Sequence, residues 1–129
     1  MAAATDRPAL RRDAERRGRR AEAVALWLLR LKGYRLVARR YKTSVGEIDL
    51  IVRRGRTIAF VEVKSRPTMA EATEAATPAG RRRIARAASL WLARNPKAAE
   101  ATLRFDVVLL APGHWPRHLS GVFDADGAA

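Results

Sequence analysis

The sequence predicts a single α/β domain in which helices flank one mixed β-sheet. Three observations predict this class: a helical pattern early in the chain, three strand-like segments after it, and a second helical pattern before another apolar strand. The 129 residues are enough to bury a core without metal or disulfide bonds. We expect a flexible basic arm at 1–12, the domain at 13–124 and a frayed end at 125–129.

The first helix is expected from about Asp13 to Lys32. Gly33 then ends it, as glycine commonly does after a helix. Trp27 lies beside the apolar positions and is expected to pack in the core. Those positions recur at the three- and four-residue spacing of one helical face, and they are Ala21, Ala25, Leu28 and Leu31.

Three strands are expected next, from Arg35 to Tyr41, from Val45 to Val52 and from Thr57 to Lys64. The turn Arg53-Arg54-Gly55-Arg56 joins the last two strands into a hairpin. Residues 65–76 are polar and alanine-rich without a clear period, so a loop is expected there.

The second helix is expected to begin at Thr77-Pro78, because threonine caps a helix well and proline suits its first position. It runs to about Arg94, with Trp91 on its apolar face. The remaining elements are a strongly apolar strand from Thr102 to Leu110 and a short strand from His118 to Phe123. In the first of these, Asp106 is expected to pair with Arg104 on the same face rather than to act in catalysis.

The charge of the chain favours a polyanionic partner. Lysine and arginine number 26 against 13 acidic residues, which gives a formal net charge of +13. Most of these cations are arginine, whose planar group fits phosphate oxygens, and they are clustered, which compositional bias alone would not cause. Nucleic acid, and DNA in particular, is therefore the expected partner. The candidate contacts are Arg17, Arg20, Arg66, Arg81, Arg82 and Arg83.

Several classes of protein are excluded by what the sequence lacks. The chain contains no cysteine, so disulfides and thiolate metal sites are ruled out. No apolar run approaches the roughly 20 residues that span a bilayer, and the first residues lack the apolar core of a secretory signal. We therefore expect a cytoplasmic protein without a membrane partner.

Acidic side chains occur within two of the expected strands. In GEIDLIV, Glu47 and Asp49 share one face, and in TIAFVEVK, Glu62 and Lys64 do. A hairpin aligns these faces, so Asp49 and Glu62 can meet, with Lys64 about 6 to 7 Å further along its strand. Carboxylates among apolar residues cost stability unless they are compensated, and Mg²⁺ or Mn²⁺ compensates them through oxygen ligands.

This cluster suggests metal-dependent hydrolysis of a phosphodiester, in which the lysine orients or helps to deprotonate a metal-bound water. The residues alone leave a simpler alternative open. Lys64 can form a salt bridge with Asp49 or Glu62, without any catalytic role.

GEIDLI followed by FVEVKSR resembles the signature of the PD-(D/E)xK nuclease superfamily. The nearest resemblance is to the uncharacterised bacterial YraN-like proteins, and a more distant one is to archaeal Holliday-junction resolvases. Three further stretches match the YraN-like pattern, and the resemblance covers residues 17–110. They are Gly18-Arg-Arg-Ala-Glu22, TPAGRRRIARAASLWL and RFDVV. The resemblance implies a restriction-endonuclease-like αβββαβ core.

The resemblance also implies the roles of individual residues. Asp49 and Glu62 become ligands of Mg²⁺ or Mn²⁺, and Lys64 activates water or stabilises charge. Glu22, on the first helix, completes the catalytic site or positions water, and it is a candidate for a further metal ligand; the residues alone leave open that it simply pairs with a nearby arginine. Glu47 shares the face of Asp49, so it is either a further metal ligand, a residue that supports the ligands, or only the polar start of the strand.

Two positions depart from the family pattern. Arg40 stands where asparagine is expected before the aromatic residue, and Gly80 stands where lysine is common before the arginine run. Neither departure removes a proposed metal ligand.

The sequence therefore predicts a divalent-metal-dependent endonuclease acting on DNA, including branched or repair intermediates. Because cleavage of branched DNA usually requires two symmetric active sites, a homodimer is compatible with this function. The alternative is a non-catalytic nucleic-acid-binding module that retains the nuclease fold. A basic protein that assists RNA or ribosome assembly also fits the charge, but it leaves the buried carboxylates unexplained.

Overall fold

A computed structural model describes the backbone of residues 2–123 and the side chains of residues 8–122. The frayed end expected at 125–129 lies outside these residues. The elements are α1 (Ala2–Leu31), β1 (Arg35–Lys42), β2 (Glu47–Arg54), β3 (Thr57–Ser65), α2 (Met69–Ala75), α3 (Pro78–Arg94), a 3₁₀ helix (Pro96–Glu100), β4 (Thr102–Leu110) and β5 (Arg117–Phe123). This order contains the αβββαβ succession of the restriction-endonuclease-like core and confirms the predicted fold class.

The five strands form one mixed sheet in which their spatial order follows the chain, β1-β2-β3-β4-β5. Only β3 and β4 run parallel, and the other neighbours are antiparallel. A parallel pair needs a crossover connection, which α2 and α3 provide here. None of the helices in the described part of the chain combines the length and apolar character needed to cross a bilayer.

The sheet carries a separate apolar core on each face. On one face, Ala25 and Leu29 of α1 pack with Leu50, Val52 and Val61. On the other face α3 packs against the sheet, with the ring of Phe60 5.7 Å from that of Trp91 and 5.3 Å from that of Phe105. Trp91 therefore packs in the core as predicted. The strands β2 and β3 are covered on both faces, which is why they are nearly continuous apolar runs.

The predictions for Trp27 and Leu31 are wrong. Trp27 is 50% exposed and Leu31 is 64% exposed, because both lie on the side of α1 that faces away from the sheet. Trp27 contacts Trp115 of the β4–β5 loop, with 5.8 Å between the ring centroids.

The helix α1 begins much earlier than expected. It starts at Ala2 rather than about Asp13, so residues 2–12 extend the helix and do not form a separate arm. The helix was predicted from apolar spacing, and that signal is missing where the helix leaves the sheet, since residues 8–20 are all exposed.

A second correction concerns residues 65–76, where a loop was expected and α2 is found. The Thr68 hydroxyl caps this helix by accepting a hydrogen bond of 3.1 Å from the backbone N–H of Glu71. Thr68 and Glu71 form the T-x-x-E pattern that marks helix starts. The helix is only seven residues long, which is too short for an apolar period to appear.

Candidate active site

The candidate site lies where β2 and β3 separate. The ladder between them begins at Arg54–Thr57 and ends at Leu50–Val61. Beyond its last pair, Asp49 Oδ2 accepts a hydrogen bond of 2.7 Å from the backbone N–H of Val63. The carboxylate of Asp49 therefore replaces a strand-to-strand hydrogen bond at the end of the ladder.

The expected alternation of faces fails at this point of β2. Ile48 packs in the core under α3, whereas Leu50 packs in the core under α1, although strict alternation would put them on one face. Asp49 lies between these two residues. The irregularity turns its side chain toward β3 and α1.

Glu62 and Lys64 lie two residues apart on β3 and form an ion pair. Lys64 Nζ is 3.2 Å from Glu62 Oε1, which is the salt bridge that the residues alone left open. Glu62 is only 4% exposed. Its other carboxylate oxygen, Oε2, is buried without a hydrogen-bond partner among the described residues. A buried acceptor in this condition costs stability unless a ligand satisfies it.

The first turn of α3 closes the site on the side of Glu62. Thr77 caps α3 by accepting a hydrogen bond of 3.1 Å from the N–H of Gly80. A Cβ atom on Gly80 would lie 3.4 Å from Glu62 Oε1. The glycine that departs from the family pattern therefore lies directly against a proposed metal ligand.

Glu22 reaches the site from α1. It is 9% exposed, and Arg40 Nε donates a hydrogen bond of 2.6 Å to its Oε1. Arg40 adopts a φ of 46°, in the left-handed region that few residues other than glycine and asparagine occupy. The residues alone left open that Glu22 pairs with a nearby arginine, and the structure shows that this arginine is Arg40, which the sequence had marked only as a departure from the pattern.

Asp49 is electrostatically coupled to the three other residues. Burial is the largest effect, and together with the negative charges of Glu22 and Glu62 it raises the pKa of Asp49 to about 6, against the Val63 hydrogen bond and the charge of Lys64. Two other carboxylates and one lysine therefore lie near enough to Asp49 to affect its pKa. A cation bound at Asp49 would relieve the repulsion between the carboxylates.

A cleft of about 770 Å³ opens beside Asp49 and Glu22. Arg17 of α1 and Arg66 after β3 line it, so two of the predicted phosphate contacts face the same space as the carboxylates. Glu62 and Lys64 are not among the lining residues. Ser65, Pro67 and Pro112 also line the cleft, and no sequence pattern had pointed to them.

The other predicted site residues are not among those that line the cleft. Glu47 is exposed at the start of β2, opposite Lys42, and does not line the cleft. Arg20 is exposed on α1. On α3, Arg82 and Arg83 are exposed and Arg81 is half-buried.

The residues present suit a divalent cation, although they do not enclose one. Within residues 8–122, no three histidine, aspartate or glutamate side chains are grouped closely enough to hold a metal ion. Mg²⁺ usually takes only one or two protein carboxylates, with water and substrate phosphate as its other ligands. Asp49 and the unpartnered Oε2 of Glu62 meet that requirement.

Asp106 has a structural role, as predicted. Arg104 donates hydrogen bonds of 2.9 and 2.8 Å to its two carboxylate oxygens, and His118 Nε2 lies 2.8 Å from Oδ2. Arg104 also donates to the hydroxyl of Tyr34. This network joins β4, β5 and the turn between α1 and β1, and none of its residues lines the cleft.

Comparison with known proteins shows one family that matches the chain over most of its length. The model of the family described as "Uncharacterised protein family UPF0102" matches residues 21–110. A UPF0102 protein of Methylorubrum extorquens (strain PA1) is 57% identical over 122 residues, which cover 95% of each chain. A UPF0102 protein of Parvibaculum lavamentivorans is 56% identical over 119 residues, 92% of this chain and 90% of the relative. Another, of Chelativorans sp. (strain BNC1), is 51% identical over 115 residues, 89% of this chain and 93% of the relative.

Proposed function

The chain belongs to the uncharacterised protein family UPF0102, and we propose that it is a divalent-metal-dependent endonuclease that hydrolyses phosphodiester bonds in DNA. The observation that carries the proposal is the grouping of Asp49, Glu62, Lys64 and Glu22 where β2 and β3 separate. This grouping stands in a restriction-endonuclease-like core, beside a cleft with arginines in its wall.

Asp49 and Glu62 would hold Mg²⁺ or Mn²⁺ through their carboxylate oxygens. A bound divalent cation supplies charge stabilisation at the scissile phosphate and lowers the pKa of a coordinated water. Lys64, which is paired with Glu62, would orient the attacking water and stabilise negative charge. In the hydrolysis, the water oxygen forms a new bond to phosphorus, the bond from phosphorus to the leaving sugar oxygen breaks, and the proton lost by water reaches that oxygen through solvent.

Binding of the DNA would rest on the arginines. Arg17 and Arg66 line the cleft and can grip phosphates on either side of the scissile bond. Arg20 continues the basic surface along the exposed part of α1, and Arg82 and Arg83 do so on α3. Contacts of this kind depend strongly on salt and carry no sequence preference. We also propose that the protein is cytoplasmic, as expected from the sequence.

A non-catalytic nucleic-acid-binding module is the second candidate. The observation that favours it is the pairing of Glu22 with Arg40 and of Glu62 with Lys64, which satisfies much of the site without a metal. The two candidates differ in their dependence on metal. Only the nuclease requires the carboxylates for turnover.

The test is cleavage of labelled single-stranded, duplex and four-way-junction DNA, and of matched RNA, with Mg²⁺ or Mn²⁺. Glu62→Gln and Lys64→Met proteins are compared with Glu74→Gln, which changes an exposed glutamate on α2. The nuclease predicts metal-dependent cutting by the parent chain and by Glu74→Gln, and loss of cutting in the other two. Tight binding without cutting, unchanged in all three variants, would replace this proposal with the binding module.

A further inference from the structure

A second pocket lies at the opposite end of the sheet from Asp49. The proposed nuclease function does not use it. Its volume is about 420 Å³, and its walls come from β1, β2, β3, the end of α3 and the 3₁₀ helix. The two cavities share no lining residue, and along β2 Asp49 of the cleft and Arg53 of the pocket are four residues, or about 13 Å, apart. The two cavities are therefore distinct.

Among the residues that the structure describes, four cationic ones and no acidic one line this pocket: Arg35, Arg53, Arg94 and Lys97. None of them forms an ion pair with a carboxylate among residues 8–122. Arg53 Nε donates to the carbonyl of Gly55 at 2.9 Å, and Arg94 Nη1 donates to the hydroxyl of Tyr41 at 3.0 Å. Both acceptors are neutral, so the positive charge of the pocket is not compensated.

Two of these arginines are direct neighbours across the sheet. Arg35 of β1 pairs with Arg53 of β2 in the antiparallel ladder. Like charges directly opposite each other destabilise a sheet, so this pair costs stability when the pocket holds no anion. An anion bound between the two guanidinium groups would turn the repulsion into two favourable interactions.

We propose that this pocket binds a phosphate group, carried by a free nucleotide or by the sugar–phosphate backbone of a nucleic acid. Guanidinium groups bind phosphate oxygens through paired hydrogen bonds, which gives them a geometric preference for phosphate over chloride. Trp91 and Ile58 supply an apolar wall, and the volume is that of a small-molecule site. The proposal goes beyond the nuclease function, because it requires neither a metal nor Glu62.

Trp91 provides a direct reporter of binding. The chain has three tryptophans, and the other two, Trp27 and Trp115, are 50% and 67% exposed. A Trp27→Phe/Trp115→Phe protein therefore keeps Trp91 as its sole tryptophan, in the wall of the pocket. Its fluorescence is followed without metal during titration with tripolyphosphate, a nucleoside triphosphate, a single-stranded oligonucleotide, or sodium chloride at matched ionic strength.

The test variant is Arg35→Gln/Arg53→Gln in that background. The control is Arg39→Gln, which removes an exposed arginine that lies on β1 like Arg35 but outside the pocket. We expect tripolyphosphate to change the fluorescence of Trp91, to bind at least tenfold more weakly to the double variant, and to bind within twofold as tightly to the control. Without ligand, the double variant should also unfold at a higher temperature than its parent.

The arms of the titration distinguish the source of the phosphate. Binding of the triphosphate supports a free nucleotide, whereas binding of the oligonucleotide alone, lost in the double variant, supports the nucleic-acid backbone. Equal responses to phosphate ligands and sodium chloride, or equal affinities of the double variant and the control, would overturn the proposal. Glu62→Gln should leave phosphate binding intact, so a failure of the nuclease function is separable from a failure here.

Discussion

Arg40 holds Glu22 from a backbone conformation that arginine rarely adopts. Its φ is 46°, and its Nε lies 2.6 Å from Glu22 Oε1. Asparagine tolerates the left-handed region better than most residues, which gives a physical reason why asparagine is expected at this position. In this chain, an ion pair with a buried carboxylate accompanies the strained backbone.

The strain at Arg40 can be measured with two substitutions. Arg40→Asn and Arg40→Ala both remove the ion pair with Glu22, but only asparagine suits a φ of 46°. We expect Arg40→Asn to be the more stable of the two by about 1 kcal/mol in urea unfolding. Equal free energies of unfolding would show that the backbone at this position carries no strain.

Binding of a divalent cation is expected to stabilise the fold through Asp49 and Glu62. At a Mn²⁺ concentration of 100 times its dissociation constant, the free energy of unfolding should rise by about 2.7 kcal/mol. Thermal unfolding with and without Mn²⁺ measures this, independently of any cleavage. Glu62→Gln should abolish the rise, because it neutralises one of only two proposed ligands.

Glu74→Gln is the control for that experiment, because it removes one exposed carboxylate that does not line the cleft. It should respond to Mn²⁺ as the parent chain does. A rise of the same size in Glu62→Gln would assign the effect to metal binding elsewhere.

The buried Asp106 is expected to make the protein sensitive to acid. Burial alone would raise its pKa, but hydrogen bonds from His118, Arg104 and the N–H of Gly121 outweigh burial and lower the pKa below the ordinary 3.8. The unfolded chain then binds a proton more readily than the folded one. The stability that ionised Asp106 contributes is therefore complete above about pH 5 and is lost as the pH falls through 3.8 toward the folded pKa.

Urea unfolding between pH 3 and 6 tests this, with Asp106→Asn as the comparison. Because the substitution leaves Arg104 and His118 without their anion, it should cost about 3 kcal/mol at neutral pH. Its deficit relative to the parent chain should shrink as the pH falls. A deficit that stays constant down to pH 3 would show that the pKa of Asp106 is not lowered.

The elements that could be predicted from the sequence are those with a repeated local signal. The apolar run from Thr57 to Lys64 and the Thr77-Pro78 helix start each gave the correct element, because burial and capping impose recognisable residue types. The exposed first half of α1 carries no apolar stripe, so only its helix-favouring composition marks it. Trp27 was misplaced because a periodic pattern does not show on which side of the helix the sheet lies.

The nearness of Asp49 and Glu62 was predictable from the sequence, but the way in which Asp49 is held was not. The acidic positions in GEIDLI and FVEVK were recognised, and the structure brings Asp49 and Glu62 close enough to affect one another. The break in alternation between Ile48 and Leu50, which points Asp49 at the N–H of Val63, arises from tertiary packing. No spacing rule along a single strand contains that information.

Gly46 shows how closely α3 approaches the start of β2, and it gives the last prediction. A Cβ atom there would lie 2.2 Å from the backbone carbonyl oxygen of Arg83, so alanine would force α3 and β2 apart. We expect Gly46→Ala to destabilise the fold by about 3 kcal/mol. Because Asp49 is only three residues further along, any cleavage activity should fall as well.

Gly18→Ala is the matched control, because a Cβ atom on Gly18 would meet nothing within 4 Å. Gly18 lies within α1, where alanine favours the helix, so this substitution should stabilise the protein by about 0.5 to 1 kcal/mol. Urea unfolding of both variants gives the two signs directly. A Gly46→Ala protein as stable as the parent chain would contradict the close approach of α3 to the start of β2. It would also contradict the closeness of the first turn of α3 to Glu62.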